Sequence, residues 1–263
     1  MDAERAKWNR AADEYQSTFH RGINEYNAAL MRFLQEGGLL TPGGRVIDIG
    51  CGVGKYGTYF ARLGCDVTLT DISDDMIRHA KNNMAEFDTP WTAFRCDFNE
   101  ITGAEAEFAG KFDLAISTMS PAIHDVATVR RMSEMTRGWC LVARFYAARK
   151  PFRDALLRAL DLEARKKPPL DLAGECDGLV AAVRAAGYSP STRIVDYNWA
   201  DERTPEEMAD YLAARCFDGA ADCAELRARA LARLHEICPP GGRVTDAVET
   251  KVMWIYWQTG GTI

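Results

Sequence analysis

The stretch RVIDIGCGVG, residues 45–54, decides the fold. Its first half is a short apolar run with three β-branched residues, which is typical of a buried strand. Gly50, Gly52 and Gly54 follow at every second position, and glycine lets the backbone adopt positive φ and approach a ligand closely. Residues 55–64 then have a helical pattern that ends at a glycine. A strand, a glycine-rich turn and a helix in this order predict the start of a nucleotide-binding α/β unit.

Acidic residues at the ends of successive strands bear on which nucleotide this unit holds. The pattern GxGxxG at residues 52–57 satisfies the dinucleotide fingerprint and by itself allows an NAD site. Asp48 lies two residues before the first glycine, Asp71 closes the next predicted strand, and Asp97 closes a further one. An acid after the second strand suits a ribose in either interpretation. An acid after the third strand, followed by Phe98, suits an adenine held at its edge by a carboxylate and at its face by a ring.

Four motifs taken together resemble those of the class I S-adenosylmethionine-dependent methyltransferases. They are DIGCGVG at 48–54, TDISDDM at 70–76, CDF at 96–98 and FDLAIS at 112–117. Their order and spacing match jointly over roughly residues 45–145, which is far more specific than a glycine pattern. The resemblance implies a doubly wound, Rossmann-like α/β sheet of seven strands, with S-adenosyl-L-methionine as the cofactor.

The resemblance also implies roles for the acids. Asp71 is expected to accept hydrogen bonds from both ribose hydroxyls, and Asp97 with Phe98 to hold the adenine. Asp48 is expected to order the glycine loop or to receive the ammonium group of the cofactor. The alternatives are structural: Asp71 could cap the next helix, a role that Ser73 could fill instead, and Asp97 could end its strand in a turn. The other expected cofactor contacts are Gly50, Cys51, Gly52, Gly54, Ile72, Met76 and Ser117.

An aromatic face on the first predicted helix has two interpretations. Trp8, Tyr15 and Phe19 recur at helical spacing, which is typical of a stripe that faces a core. In related small-molecule methyltransferases the N-terminal helices often close over the cofactor, and an aromatic ring beside a sulfonium gains cation–π attraction of about 1 kcal/mol. Tyr15, whose hydroxyl could reach the cofactor carboxylate, is the candidate site residue on this face.

The segment after the fourth predicted strand bears on the methyl acceptor. Many methyltransferases that act on amide or nucleobase nitrogens carry Asn/Asp-Pro-Pro-aromatic there, whereas this chain has Ser-Pro-Ala-Ile at 120–123, which argues against those substrates. His124 follows, and a neutral imidazole is a suitable proton acceptor at pH 7. His124 is therefore the candidate catalytic base. The alternative is a histidine at a helix start that is bonded to backbone.

Beyond the core motifs, the chain adds helices. Helical patterns cover residues 2–20, 24–36 and 151–167. Methyltransferases of this class join their last two strands by a close hairpin, but here about fifty residues, mostly helical in pattern, separate the predicted strands 193–199 and 251–257. We therefore expect a helical cap inserted between these strands. The expected bounds are a single catalytic domain over 1–263, a core of about 42–199 plus 248–258, an N-terminal helical cap of about 2–36 and a helical insertion of about 204–238.

Composition limits the partners and the compartment. The 263 residues carry a net charge of −6, so attraction to nucleic acid or anionic membranes is not expected. The N-terminus has no apolar run typical of a signal peptide, and no stretch approaches the ~20 apolar residues of a membrane helix. A cytoplasmic, soluble protein with reduced cysteines is expected. No metal site is expected either, because the spacing of Cys216, Cys223, His235 and Cys238 fits no standard zinc pattern.

These observations predict transfer of a methyl group from S-adenosylmethionine to a small-molecule acceptor by direct in-line displacement. One alternative is a noncatalytic module that binds S-adenosylmethionine or its demethylated product. Another is an NAD(P)-dependent oxidoreductase. The sequence indicates neither the acceptor atom nor the oligomeric state, since one fold hosts many acceptors.

Overall fold

The computed structural model describes residues 2–19, 24–100, 108–162, 170–216 and 220–260. Within them lie the helices and strands of a mixed α/β fold. The helices are α1 (Asp2–Phe19), α2 (Glu25–Glu36), α3 (Lys55–Arg62), α4 (Asp74–Met84), α5 (Val126–Glu134), α6 (Pro151–Ala159), α7 (Leu172–Ala185), α8 (Pro205–Cys216) and α9 (Cys223–Ile237). The strands are β1 (Arg45–Ile49), β2 (Asp66–Asp71), β3 (Trp91–Arg95), β4 (Phe112–Thr118), β5 (Thr136–Arg149), β6 (Ser191–Asp196), β7 (Trp199–Arg203) and β8 (Val244–Gln258).

The sheet follows the order β3-β2-β1-β4-β5-β8-β6, and β7 pairs with β8. β1 pairs in parallel with both β2 and β4, β2 with β3, and β4 with β5. The strand order therefore reverses between β1 and β4, and in such sheets ligands bind at the carboxyl ends of the strands on either side of that reversal. The doubly wound, Rossmann-like α/β fold is confirmed, with an eighth strand added to the seven of the main path.

The described residues fall into two compact units. The first lies within 1–145, 173–195 and 252–263, and the second within 146–172 and 196–251. In the first unit, α2 packs beside the end of β8, where the partly buried Phe33 ring lies 5.0 Å from the ring of the buried Trp254. The prediction of a single catalytic domain with an inserted cap stays a prediction.

The second unit has its own apolar core, formed by α6, α8 and α9. Its buried members include Leu157, Met208, Leu212 and Leu234. The carboxylate of Asp246, on β8, is fully buried in this unit and is bonded to two arginines. A buried ion pair is costly to desolvate, so it persists only where partners surround it.

The element bounds differ from the sequence prediction at several places. One strand was expected over 193–199, but β6 ends at Asp196 and β7 begins at Trp199. Asn198 interrupts the pairing, because its side-chain Oδ1 replaces a backbone carbonyl as acceptor from Thr250 N, at 2.9 Å. α6 ends at Ala159 rather than at residue 167. Residues 163–169 lie outside the described chain, as does residue 20.

None of the helices in the described ranges is both long enough and apolar enough to cross a membrane.

Candidate functional site

A cavity of about 540 Å³ lies at the carboxyl ends of β1, β2, β3 and β4, below α1. Ten of the residues expected from the sequence lie on its wall: Tyr15, Gly50, Cys51, Gly52, Asp71, Ile72, Met76, Asp97, Phe98 and His124. Asp48, Gly54 and Ser117 are not among the described wall residues. The topology thus brings residues of the first three motifs to one cavity, and the loop that follows the fourth motif completes the wall. The roles of these residues stay predictions.

The three glycines of the loop between β1 and α3 have different neighbours, so a side chain at each position would meet different atoms. Gly50, Gly52 and Gly54 all have positive φ, at 71°, 55° and 80°. A Cβ at Gly50 would lie 1.9 Å from Ser120 Oγ, and one at Gly54 would lie 3.1 Å from the Cβ of Ala80 on α4. At Gly52 the nearest atom would be a methionine sulfur at 3.9 Å, on the cavity wall. Gly52 is therefore the position where a ligand can approach the backbone.

Asp71, at the end of β2, ties the glycine loop to the turn before α4. Its Oδ2 accepts from Gly52 N and its Oδ1 from Ser73 N, both at 2.9 Å. Ser73 itself caps α4 by accepting from Met76 N, so the alternative of a helix cap at Asp71 is not what the structure shows. Burial raises the pKa of Asp71, and the backbone N–H groups of Ser73 and Gly52 oppose that rise.

Asp48 lies deeper, on β1, and is 1% exposed. No donor in the described parts of the chain reaches either of its carboxyl oxygens. Burial raises its pKa to about 8, and the nearby Asp71 carboxylate adds to that rise. Ordering of the glycine loop, one of the two expected roles of Asp48, is carried out here by Asp71. The other expected role, receiving an ammonium group, stays a prediction and would satisfy a buried polar group that otherwise has no partner.

Asp97 and Phe98 follow β3 and lie on the cavity wall. Asp97 Oδ1 accepts from the backbone N of Asn99 at 2.9 Å and from its side-chain Nδ2 at 3.1 Å, so this acid does form the turn that was its alternative role. The carboxylate has a second oxygen, and each oxygen offers two lone pairs, so the turn does not exhaust its capacity to accept. The Arg131 guanidinium lies 5.7 Å from the centre of the Phe98 ring.

Helix α1 covers the cavity with its aromatic residues. Trp8, Tyr15 and Phe19 all lie on the wall, and the Trp8 and Tyr15 rings meet edge to face at 6.1 Å. Ala12, on the same helix, is fully buried and packs in a small cluster with Met76. The face therefore combines the two predicted interpretations, because one part is core and the other part borders the cavity. Tyr15 remains 46% exposed.

Polar contacts hold α1 against α4. Ser73 Oγ donates to Asn9 Oδ1 at 2.6 Å. The amides of Gln16 and Asn83 bond reciprocally at 3.0 and 2.8 Å. The Arg5 guanidinium pairs with the Asp74 carboxylate. These side chains place the aromatic residues of α1 over the glycine loop.

The loop between β4 and α5 supplies wall residues that sequence reasoning missed, among them Met119 and Ser120. Met119 has φ 52°, which is uncommon for a residue with a side chain, and its N donates to Ala143 O at 2.9 Å. This turn brings Ser120 against Gly50. Ser117 is buried behind the wall and donates from Oγ to Ile49 O at 2.9 Å, which links β4 to β1. No local pattern marks Met119, whereas Ser120 begins the segment 120–123 that follows the fourth predicted strand and bears on the acceptor.

His124 lies on the wall at the end of the same loop. Its backbone N donates to Thr128 Oγ1 at 3.0 Å, and its ring Nδ1 lies 3.2 Å from Pro121 O. Its side chain is 53% exposed, and Nε2 lies 3.8 Å from Asp125 Oδ2. The structure therefore shows the alternative interpretation, because this histidine is bonded to backbone at a helix start. His124 also borders the cavity, and its role as a catalytic base stays a prediction.

The family model described as a methyltransferase domain matches residues 46–138, which run from β1 into β5. We refer to residues 46–138 as the methyltransferase domain because they match this family model. The resemblance to the class I S-adenosylmethionine-dependent methyltransferases is thereby confirmed for this part of the chain. The third glycine of the dinucleotide pattern, Gly57, has a packing reason in this domain, since a Cβ there would lie 2.8 Å from Leu69 Cδ2.

Known proteins are similar to parts of the chain. The chain is 37% identical over 93 residues to the ubiquinone biosynthesis O-methyltransferase of Caulobacter sp. (strain K31), and these residues cover 34% of this chain and 35% of that protein. The ribosomal protein L11 methyltransferase of Thermotoga neapolitana is 29% identical over 107 residues, which cover 40% of this chain and 38% of that protein. The chain thus spans little more than a third of the length of these relatives.

Solved structures share the fold. The YcgJ protein of Bacillus subtilis superposes with a TM-score of 0.51 at 16% identity, over 89% of this chain and 98% of that one. The magnesium protoporphyrin IX methyltransferase of Synechocystis PCC 6803, solved with bound SAH, superposes with a TM-score of 0.50 at 17% identity, over 74% and 92%. At such identities the likeness concerns the fold alone.

Proposed function

We propose that this chain transfers a methyl group from S-adenosyl-L-methionine to a small-molecule acceptor by direct in-line displacement. The observation that carries the proposal is the cavity at the carboxyl ends of β1–β4. Within a methyltransferase domain, it is walled in order by the glycine loop, Asp71, Asp97 and Phe98. The relatives that are named as methyltransferases support methyl transfer over the 34% and 40% of the chain that they match.

The residues present fit this cofactor. Asp71 already accepts two backbone N–H groups, but each carboxylate oxygen has a second lone pair, so both ribose hydroxyls can be accommodated. Asp97 and Phe98 are proposed to hold the adenine. Asp48, a buried carboxyl without a partner in the described structure, is proposed to receive the ammonium group. Ile72 and Met76 add apolar wall. The glycine loop, including Cys51 and Gly54, is proposed to hold the methionine portion at Gly52.

Charge on the wall favours the same assignment. Among the described wall residues, Glu4, Asp71 and Asp97 are acidic and Lys55 is basic. S-adenosylmethionine carries a sulfonium and an ammonium against one carboxylate, so a net negative wall attracts it. Trp8 and Tyr15 lie where an aromatic face could stabilise the sulfonium.

The bound cofactor supplies an activated methyl group, so the main task of the chain is placement. Holding the two reactants in line can remove about 7–11 kcal/mol from the barrier. Helix α1 would exclude water from the reacting atoms, because it covers the cavity and is held to α4 by Asn9, Gln16 and Arg5. A small-molecule acceptor is favoured because the 540 Å³ cavity must hold acceptor and cofactor together.

Equilibrium binding and turnover test the proposal. Titration calorimetry should show binding of S-adenosylhomocysteine and no binding of NADH at the same concentrations. Incubation with S-adenosylmethionine and a metabolite panel should then release S-adenosylhomocysteine. Failure to bind either adenosyl compound would overturn the proposal. Binding without turnover on any acceptor class would favour the noncatalytic module instead.

A further inference from the structure

His124 is presented to the cavity by a loop that is fixed from several sides. Met119 N donates to Ala143 O at 2.9 Å at the start of the loop. Arg144, on β5, donates from Nη2 to Ile123 O at 2.7 Å, directly before the histidine. The backbone N of His124 is bonded to Thr128 Oγ1 at 3.0 Å. A side chain on such a support is held for a directional task, and its 53% exposure leaves the ring accessible.

The hydrogen bond of the ring determines where its lone pair lies. Nδ1 is 3.2 Å from the carbonyl oxygen of Pro121. A carbonyl oxygen can only accept, so Nδ1 carries the proton in the neutral ring. The lone pair of the neutral imidazole is therefore on Nε2, and this nitrogen is the one that can take up a proton.

A carboxylate stands beside that nitrogen. Asp125 Oδ2 lies 3.8 Å from His124 Nε2, too far for a hydrogen bond but near enough to stabilise a positive charge on the ring. Asp125 Oδ1 accepts from Thr128 N at 2.8 Å and from Thr128 Oγ1 at 2.7 Å, which fixes the carboxylate as the cap of α5. These bonds lower the pKa of Asp125, so it is ionised at neutral pH.

We propose that His124 Nε2 is the general base for a hydroxyl acceptor and that the acceptor class is a phenol. The phenolic proton passes to Nε2 while the oxygen forms a bond to the methyl carbon. The carbon–sulfur bond breaks and its electron pair stays on sulfur, so the products are a methyl ether, a thioether and an imidazolium. The imidazolium then releases its proton to solvent, to which the ring is exposed.

The choice of a phenol follows from acidity and from the cavity wall. Carboxylates are already ionised at pH 7 and need no base, whereas a phenol with a pKa of about 10 keeps its proton and needs one. Aliphatic alcohols are far weaker acids than phenols, so transfer of their proton to an imidazole is less favourable. Trp8, Phe19, Tyr56 and Pro121 form an apolar and aromatic wall that suits a flat ring, and the acidic excess of the wall disfavours an acceptor that is already an anion. This inference rests on the proposed methyl transfer.

Pairs of phenols that differ in acidity test the inference. Phenol, catechol and 2-naphthol would each be compared with a nitro-substituted counterpart that is largely ionised at pH 8. For His124→Gln, kcat/KM should fall about 100-fold or more with the unsubstituted phenols and only a few-fold with the nitrophenols. Asp125→Asn, which keeps an N-cap residue but removes the charge, should show a smaller loss with the same dependence on acidity. His235→Gln, at an exposed histidine paired with Glu206 on another helix, is the matched control and should change neither rate.

The affinity for S-adenosylhomocysteine, measured by calorimetry, separates the possible failures. Equal losses of His124→Gln on both members of each pair, or no loss at all, would overturn the base. If no phenol is methylated by the parent protein although S-adenosylhomocysteine binds, the acceptor class is overturned and the proposed function stands. If S-adenosylhomocysteine does not bind, the proposed function itself fails.

Discussion

Two buried aspartates, one in each unit, have opposite surroundings. Asp48 is 1% exposed and Asp246 is 0% exposed. Asp246 accepts from Arg153 Nε at 2.8 Å and from Arg203 Nη1 at 2.6 Å, and the Tyr211 ring lies within 4.6 Å of both guanidinium groups. Asp48 accepts nothing from the part of the chain that the structure describes.

Because the two aspartates are equally buried, the presence or absence of cationic partners is what distinguishes a structural acid from a ligand-binding acid. A buried carboxylate that is surrounded by its own cations contributes to one unit's fold, and its partners are already in place. A buried carboxyl without partners raises the free energy of the folded protein unless a ligand or a proton neutralises it. In the methyltransferase domain this carboxyl is Asp48, which lies two residues before the glycine loop. A cationic ligand beside it would lower the free energy of the folded protein.

The largest expected effect is the loss of stability when Asp246 is replaced. Asp246→Ala leaves Arg153 and Arg203 without their shared carboxylate and should destabilise the protein by about 3–5 kcal/mol. The measurement is the urea unfolding midpoint followed by circular dichroism. Asp210→Ala, which removes an exposed partner of Arg227, is the control and should leave the midpoint in place. An unchanged midpoint for Asp246→Ala would remove the contrast between the two acids.

The next effect concerns Asp71, which binds the glycine loop and is proposed to bind the ribose. Asp71→Ala should weaken binding of S-adenosylhomocysteine tenfold or more, about 1.4 kcal/mol or above, because it removes charge-assisted acceptors from both. Calorimetry measures the affinity. Asp66→Ala, at the opposite end of the same strand β2, is the matched control. Equal affinities for the two variants would contradict the ribose assignment.

Replacing Asp48 should increase the stability of the protein, whereas replacing Asp246 should decrease it. The pKa of Asp48 is raised to about 8 in the folded protein against an ordinary value near 3.8, so between these values the folded state holds more protons than the unfolded state. Stability from this group therefore falls as the pH rises from about 4 to about 8. Asp48→Asn does not ionise and should stabilise the cofactor-free protein at pH 8 by about 1–2 kcal/mol, or roughly 2–4 °C in Tm for each kcal/mol, with little gain at pH 4. A gain that does not depend on pH would show that ionisation of Asp48 is not the cause.

The smallest expected effect is the release of protons when the cofactor binds. If the ammonium group of the cofactor lies beside Asp48, binding should favour the ionised carboxyl and release up to about one proton near pH 7. Calorimetric titrations with S-adenosylmethionine in phosphate and in Tris buffer measure this number, because the two buffers differ in ionisation enthalpy. Asp48→Asn should abolish the release. A release that is unchanged in this variant would assign the proton to another group.

Much of the methyltransferase domain could be predicted because its signals are local. β-Branched residues at 46–49 favour a strand, and glycines at 50, 52 and 54 permit the positive φ values observed. The acids at the ends of β1, β2 and β3 have to meet, since parallel strands present their carboxyl ends at one edge. The doubly wound order and the cavity follow from that pattern.

The register of the sheet determines contacts of the glycine loop that the spacing of the motifs along the sequence could not predict. Ile49 pairs with Thr70, so the glycine loop crosses the end of β2, and Gly50 N and Cys51 N both donate to Thr70 O. That alignment brings Asp71, rather than Asp48, to Gly52 N. The pairing of Asp48 with Ile116 on β4 carries the following loop to the same edge, where Ser120 fills the space beside Gly50.

The glycine loop, the acids at the strand ends and the strands and helices around them could be predicted from the sequence alone, because conformational preference and hydrophobic period act over a few neighbouring residues. Only the tertiary structure decided which buried acid has partners. Arg153 and Arg203 are 93 and 43 positions from Asp246, and no local pattern joins them. Hydrogen bonds and ion pairs of that kind form between groups that meet in space, so the fold must exist before an aspartate becomes a structural anchor or an open site.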